Sequence, residues 1–144
     1  MTSAQHHGSG RRKSRELAMQ MLFQADVGRQ TADEVRGTFW KAGDSVDLDV
    51  RGFAEDLFRV AQAEQPKIDA LIAAHSTHWR IDRMPAVDRN LLRMAVAELI
   101  GFKSTPFPIV INEALEIGRR YSAPESINFL NGVLDSIARS LIPK

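Results

Sequence analysis

The sequence contains no cysteine, and this absence excludes disulfide bonds, thiolate metal sites and a cysteine nucleophile. It has no apolar run near the roughly 20 residues that a membrane span needs, and its polar start lacks a signal-peptide core. We therefore expect a cytoplasmic protein without membrane association. No phosphate loop, dinucleotide fingerprint or nucleophile elbow occurs, so no catalytic residue, cofactor or metal site is predicted, and we do not expect an enzyme.

The sequence also has almost no excess of positive over negative charge, because its formal net charge is only +1. The basic residues are nevertheless unevenly distributed. Residues 1–29 carry five basic and two acidic side chains, whereas residues 30–80 contain more acidic than basic ones. A local excess of this kind allows an anion-binding site on a nearly neutral protein.

Apolar residues recur at helical spacing along the chain, and no strand pattern or internal repeat interrupts them. A length of 144 residues with 44% hydrophobic composition suits a single unit with its own core. We expect an all-α fold of two small helical bundles packed into one compact domain. Residues 1–10 are predicted to be a disordered arm, 11–75 and 85–144 the two helical halves, and 76–84 the linker between them.

Start and stop signals divide the halves into seven helices. The predicted helices cover about residues 11–27, 32–41, 47–61, 66–75, 86–101, 108–120 and 122–141. Thr31 is the expected N-cap of the second helix, and Gly28 and Gly43 are the expected terminators of the first two. Ser122 and Glu125 have the spacing of a capping box at the start of the last helix.

Four basic residues lie where the polar arm becomes a helix. They are Arg11, Arg12, Lys13 and Arg15. Such a cluster can neutralise several phosphates and release counterions, which supplies affinity without reading a base sequence. The alternative is a solvated, charged helix end, and the cluster by itself leaves both interpretations open.

Two phenylalanines are predicted to lie away from the apolar stripes of their helices. Phe129 shares an outer face with Glu125 and Gly132, and an exposed ring beside a small residue suits stacking of an unpaired RNA base. A lone exposed phenylalanine often has no function, however. Phe23, with Met19 one turn behind it, favours either contact with another protein or packing within this chain.

Carboxylates and histidines elsewhere are weak candidates for chemistry. Glu113 and Glu116 form a carboxylate pair, but the Glu-x-x-His pattern of a dinuclear site is missing. His75 and His78 are three positions apart at the expected end of a helix and have no evident third ligand. These side chains are expected to serve in capping, solvation or packing.

Three segments carry a family resemblance: residues 11–24 (RRKSRELAMQMLFQ), 86–100 (AVDRNLLRMAVAELI) and 111–138 (INEALEIGRRYSAPESINFLNGVLDSIA). In order and spacing they resemble the NusB family, over nearly the whole chain from Arg11 to Ala138. The resemblance implies an all-helical fold of two small bundles. It also implies a role in the antitermination complex with RNA polymerase on ribosomal RNA operons, where boxA-type single-stranded RNA is bound together with NusE, a small-subunit ribosomal protein.

The resemblance further implies which residues bind. In the family, the arginine-rich N-terminal motif and the start of the last helix form the RNA surface, while the first helix and the start of the central helix form the NusE surface. The corresponding RNA-binding residues here are Arg11, Arg12, Lys13, Arg15, Glu125 and Phe129. The corresponding NusE-binding residues are Phe23, Asp88 and Arg89. Many relatives have tyrosine where this chain has Phe23, so any hydrogen bond from that hydroxyl is missing.

Other functions stay open at this point. The NusB fold also occurs as the N-terminal domain of an rRNA cytosine methyltransferase, but with Lys144 as the last residue we do not expect a cofactor-binding methyltransferase domain. A helical interaction module or ribosome assembly factor without specific RNA recognition is the main alternative. A helix-turn-helix DNA binder is another, although the last helix has few basic residues for a recognition helix. Monomer and homodimer are both compatible with the sequence.

Overall fold

The structure is a computed structural model that describes residues 9–41, 45–77 and 79–143. All regular elements among these residues are helical, which confirms the all-α prediction. They are α1 (Ser9–Val27), α2 (Ala32–Phe39), α3 (Leu48–Ala63), α4 (Gln65–His75), a 3₁₀ turn (Ile81–Arg83), α5 (Ala86–Gly101), α6 (Phe107–Tyr121) and α7 (Ser126–Leu141). None of these helices is long and apolar enough to cross a membrane.

The central element of the fold is α5, which packs against α1, α3, α4, α6 and α7. It buries every residue from Leu91 to Ala97, as expected for a helix that is apolar on nearly every side. One contiguous apolar core extends through both predicted halves of the chain. The helix α4 packs against α5 and α7 more than against α3. Whether 11–75 and 85–144 are separable units stays a prediction.

The first two helices begin close to their predicted positions. α1 begins at Ser9, two residues earlier than predicted, so Ser9 and Gly10 are helical; residues 1–8 lie outside the described part of the chain. Thr31 caps α2 as predicted, because its hydroxyl accepts the Glu34 N–H at 3.2 Å while the Glu34 carboxylate accepts the Thr31 N–H at 2.9 Å. α2 ends at Phe39. Its predicted terminator, Gly43, lies outside the described residues.

The end of α1 is closed by backbone hydrogen bonds around Gly28, as the sequence suggested. The residue with left-handed backbone geometry is nevertheless Arg29, whose φ is 53°. The Gln30 N–H donates to the Ala25 carbonyl at 3.0 Å, the bond that closes a Schellman motif. Gly28 is needed for space, because a Cβ there would lie 2.5 Å from the Gln24 carbonyl oxygen.

The capping box predicted at the start of α7 does not form. Ser122 still belongs to the end of α6, because its N–H donates to the Gly118 carbonyl at 2.7 Å. Its hydroxyl donates instead to Asp88 Oδ1 at 2.6 Å. Glu125 precedes α7 with an exposed side chain that makes no capping hydrogen bond. Position in the preceding helix therefore decides the role of Ser122.

Candidate nucleic-acid and partner interface

The start of α1 carries cationic side chains that are anchored to the protein but reach solvent. The Arg11 guanidinium lies over the Phe53 ring, 4.0 Å from its centroid. Arg12 donates two hydrogen bonds to the Glu113 carboxylate, at 3.0 and 2.8 Å, and its side chain remains 41% exposed. The hydrogen bond to Glu113 raises the pKa of Arg12 above its usual value. A guanidinium has five N–H donors, so Arg12 keeps three for a ligand.

Arg15, the fourth residue of the predicted cluster, points into the protein. It donates to both carboxylate oxygens of Glu98 at 2.7 Å, and its side chain is only 4% exposed. Its Nη1 also lies 3.6 Å from Glu113 Oε1. The structure therefore corrects the expected surface position of Arg15. The reason is that Glu98 lies fully buried on α5, where an uncompensated charge would be costly.

The end of α6 adjoins the start of α1 through Glu16, which is 3% exposed. The Tyr121 hydroxyl donates to Glu16 Oε2, and Arg120 Nη1 donates to Glu16 Oε1 at 3.3 Å. Lys13 Nζ lies 3.9 Å from the same Oε1 and its side chain is more than half exposed. Burial, followed by the hydrogen bond to Glu16, raises the pKa of Tyr121. Two cations and one partly exposed ring thus surround a buried carboxylate.

Arg120 and Tyr121 were not singled out from the sequence. A possible signal was the run Arg119-Arg120-Tyr121, since basic residues next to an aromatic ring are typical of RNA-binding surfaces. The sequence does not show, however, that the end of α6 lies against α1, because that contact joins residues more than 100 positions apart.

Phe129 is half-buried, which differs from the free outer position predicted for it. Its ring centroid lies 5.1 Å from that of Trp79 in an edge-to-face arrangement with an interplanar angle of 62°. The helical angles of α7 placed the ring correctly off the main apolar stripe, but they could not show Trp79 covering it from the segment before α5. Glu125 and Gly132 are exposed on the same helix. Only part of the Phe129 ring is open to a ligand.

An apolar strip is exposed near the end of α1. Phe23 is 37% exposed, and Val27, one turn later, is 54% exposed. Met19 was expected beside Phe23 on this face, but it is only 1% exposed. Met19 therefore follows the second of the two interpretations that the sequence left open, packing within the chain, because α1 packs against α2, α3, α5 and α6.

Asp88 is buried, 1% exposed, so the expected partner-facing position is wrong for this residue. Its Oδ1 accepts the hydrogen bond from Ser122, whereas Oδ2 has no hydrogen-bond partner among the described residues. An acid three positions after an N-cap can accept the N–H of the capping residue. Here the N-cap of α5 is Pro85, which has no N–H.

Arg89 is half-buried and already bound within the chain. Its Nε donates to Asp26 Oδ2 at 2.7 Å, and Asn90 and Arg93 donate to the same oxygen at 2.9 and 3.1 Å. Burial raises the pKa of Asp26, but the hydrogen bonds from Arg89 and Asn90 and the nearby positive charges outweigh it. The pKa of the Asp26 carboxyl therefore lies below its usual value of 3.8. The network ties the end of α1, next to Phe23, to the start of α5.

In residues 9–41, 45–77 and 79–143, no group of three or more potential ligands could hold a metal ion. His75 Nδ1 lies 2.7 Å from Ser136 Oγ, and Glu113 is bound to Arg12. His78 lies outside the described residues.

Known proteins are similar to this chain both in sequence and in the arrangement of their helices. The NusB family profile matches residues 12–139 of the chain. The chain belongs to the NusB family. It is 60% identical over 131 residues to the transcription antitermination protein NusB of Koribacter versatilis strain Ellin345, covering 91% of this chain and 90% of that protein.

Solved NusB structures have the same fold. The T. maritima NusB structure matches with a TM-score of 0.83 and 32% sequence identity, covering 92% of this chain and 93% of that one. A crystal structure of the antitermination factors NusB and NusE in complex with double-stranded RNA matches with a TM-score of 0.78. In that match the identity is 28%, with 92% of this chain and 98% of the other covered.

In this member of the NusB family, two distinct surfaces lie along α1, and the end of α6 contributes to the first of them. We call the first the cationic surface; it consists of Arg11, Arg12, Lys13, Arg120 and Tyr121. We call the second the apolar strip; it consists of Phe23 and Val27, with the Asp26–Arg89 pair beside it. Arg12 and Phe23 are eleven residues apart on one helix, so the two surfaces are separated by about 16 Å along its axis. One ligand could occupy each surface at the same time.

Proposed function

We propose that this chain is a transcription antitermination factor that binds boxA-type single-stranded RNA and NusE. It acts in the cytoplasm as an adaptor in the antitermination complex with RNA polymerase, and not as an enzyme. The observation that carries this proposal is the match to a NusB that was crystallised with NusE and double-stranded RNA, over 98% of that NusB chain, which supports binding of RNA together with NusE. The preference for single-stranded boxA-type RNA is inferred from the family resemblance. Family membership over residues 12–139 supports the same conclusion.

The cationic surface is the proposed RNA-binding surface. The side chains of Arg12, Lys13 and Arg120 are 41%, 54% and 63% exposed, so phosphates can reach them. The acidic residues Glu16 and Glu113 lie beneath these cations and fix their positions. Phosphate contacts of this kind release counterions and supply affinity that is independent of sequence. Arg15 is a positioning residue in this proposal, because it acts on the surface through Glu98 and Glu113 and does not itself face the RNA.

Base stacking is proposed for the partly open ring of Phe129. Trp79 braces one side of this ring, which leaves the other side for an unpaired base. Glu125 follows Tyr121 by four positions, so it lies within about 14 Å of the cationic surface. Its exposed carboxylate would oppose phosphates that pass along the start of α7, which limits the path of the RNA.

The apolar strip is the proposed NusE-binding surface. Phe23 and Val27 offer apolar area, and the half-buried Arg89 beside them offers N–H donors at its rim. Asp88 contributes from inside the protein, because it holds Ser122 and so fixes the end of α6 against α5. Its role in NusE binding is therefore one of positioning.

A competition experiment with the full chain tests the proposed function. Labelled boxA-type single-stranded RNA would be displaced by unlabelled boxA-type RNA, unrelated single-stranded RNA, duplex RNA or duplex DNA, with and without NusE. We expect boxA-type RNA to compete best and NusE to tighten its binding. NusE binding with equal competition by every RNA would instead support an interaction module. Best competition by duplex DNA would support a DNA-binding protein, and best competition by duplex RNA would contradict single-strand recognition.

A further inference from the structure

A pocket lies where four helix ends meet, at the starts of α4 and α6 and the ends of α5 and α7. Its volume is about 320 Å³, which is at the small end for a ligand-binding pocket. Its apolar wall includes Leu99, Ile100, Phe107, Ala138 and Leu141. No residue of the cationic surface or the apolar strip lines it.

Two lysines give this pocket a positive rim. Lys67 and Lys103 both line it and are both exposed. Among the residues that the structure describes, neither lysine has a salt bridge or a hydrogen bond from its side chain. The two helix starts and two helix ends around the pocket carry opposite partial charges, so their effects largely cancel. Lys67 and Lys103 therefore place two positive charges at the pocket without an ion pair to another described residue.

Two of the apolar side chains that line the pocket are also partly open to solvent. Leu141 is 37% exposed and Ile142, outside the end of α7, is 51% exposed. A small molecule enclosed in this volume would contact both side chains but would leave their solvent-facing parts uncovered. A ligand with an extended body could cover them while placing one group inside the pocket.

We propose that this pocket docks an acidic peptide segment of a partner protein. One bulky apolar side chain of the segment enters between Leu99, Phe107 and Leu141, and flanking carboxylates pair with Lys67 and Lys103. The neighbouring residues of the segment cover Ile142. This docking site is separate from the RNA and NusE surfaces, so it lets the protein hold a further component of a complex.

A nuclear magnetic resonance titration of the full-length protein tests the proposal. The probe is a capped hexapeptide of two glutamates, leucine, phenylalanine and two glutamates. Matched peptides carry lysine for each glutamate, or alanine for the two apolar residues, and octanoate serves as a small carboxylate. We expect saturable shifts confined to the pocket, seen with the acidic apolar peptide and about tenfold weaker or absent with the other probes.

Two variants make the test specific. The double substitution Lys67→Glu, Lys103→Glu should weaken binding of the acidic peptide by about tenfold, because it replaces two attractive charges by repulsive ones. The double substitution Arg36→Glu, Arg83→Glu makes the same change of net charge elsewhere and should leave binding unchanged.

Four results would overturn the proposal. The acidic peptide could cause no shifts at the pocket, or it could bind both double variants equally well. Octanoate could bind as well as the acidic peptide, or the basic peptide could bind at the pocket. Pocket shifts that appear on raising the protein concentration alone would also overturn it, because the occupant would then be a second copy of the chain.

Discussion

The guanidinium of Arg15 and the carboxylate of Glu98 form a two-bonded ion pair in the interior, with both N–O distances at 2.7 Å. Since α1 supplies one partner and α5 the other, the pair links the helix that carries the proposed RNA surface to the central helix of the core. Charged hydrogen bonds of this geometry are strong and directional, so the rotation of α1 about its axis is fixed. That rotation decides which residues of the basic segment face solvent.

Removing one partner of this pair should destabilise the protein strongly. We expect Glu98→Ala to lower the free energy of unfolding by about 3 to 5 kcal/mol, because the buried Arg15 charge loses its main counter-charge. Urea denaturation measures this change. The matched control is Asp56→Ala, which breaks the exposed pair with Arg59 and should cost less than about 1 kcal/mol. Similar decreases for both variants would contradict the structural role of the buried pair.

The Asp26 network predicts a dependence of stability on pH. The folded-state pKa of Asp26 lies below 3.8, so its contribution is fully present above the unfolded-state pKa and is lost as pH falls through the folded value. At pH 7, Asp26→Asn should cost about 1 to 3 kcal/mol because charged hydrogen bonds from Arg89 and Arg93 are weakened. The difference from the unsubstituted protein should shrink below about pH 4. Denaturation midpoints at several pH values measure this, and a difference that stays constant down to about pH 2 would rule it out.

The backbone geometry at the end of α1 predicts that substitutions at two adjacent positions change the stability of the protein in opposite directions. Arg29 has a positive φ of 53°, so Arg29→Gly should stabilise the protein by about 0.5 to 1 kcal/mol. Gly28→Ala should destabilise it, because the new Cβ would lie 2.5 Å from the Gln24 carbonyl oxygen. Thermal melts of the two variants provide the measurement. If both substitutions had the same sign, the assignment of the left-handed position to Arg29 would be wrong.

The contact between the rings of Phe129 and Trp79 predicts how substitutions near the start of α7 affect RNA binding and protein stability differently. Phe129→Ala should weaken RNA binding by about 1 to 3 kcal/mol because the base can no longer stack on the ring. It should also lower stability by more than about 0.5 to 1.5 kcal/mol, because the lost ring contact with Trp79 adds to the loss of the apolar area that Phe129 packs against the core. Glu125→Gln should tighten RNA binding without changing stability, since Glu125 makes no capping bond. RNA titrations and thermal melts of each variant supply the data. Normal RNA binding by folded Phe129→Ala protein would end the stacking proposal.

Much of the fold could be predicted from local patterns. Residues close together in sequence determine four of the predicted features. These are the end of α1 before Gly28, the Thr31 cap of α2, the start of α5 after Pro85 and the buried run on α5. The start of α7 was not predicted correctly, because a capping box at Ser122 and Glu125 competes with the continuation of α6. Spacing alone does not resolve that competition.

The candidate site was less predictable, because its geometry depends on distant partners. Nothing near Arg15 in the sequence indicates that Glu98 will bury it, and nothing near Asp88 indicates the hydrogen bond from Ser122. Helical angles placed Phe129 off the core stripe, yet Trp79 reaches it from another segment. Predictions of charge and exposure made from one helix are therefore wrong where another segment of the chain supplies a counter-charge or a covering ring.

The most direct test of the central claim is the salt dependence of RNA binding. Replacing Arg11, Arg12 and Lys13 together by glutamine, which can still donate a hydrogen bond to Glu113, should flatten the slope of log affinity against log salt. For single-stranded RNA the slope should fall by about 0.7 for each phosphate that the variant no longer neutralises, or roughly 2 in total.

The matched triple variant replaces Arg36, Arg59 and Arg83 by glutamine, which removes the same net charge from other exposed positions. We expect this second variant to keep the unsubstituted slope, while the slope of the first one falls by about 2 units. An unchanged slope in the first variant, or an equal decrease in both, would contradict RNA binding at the start of α1.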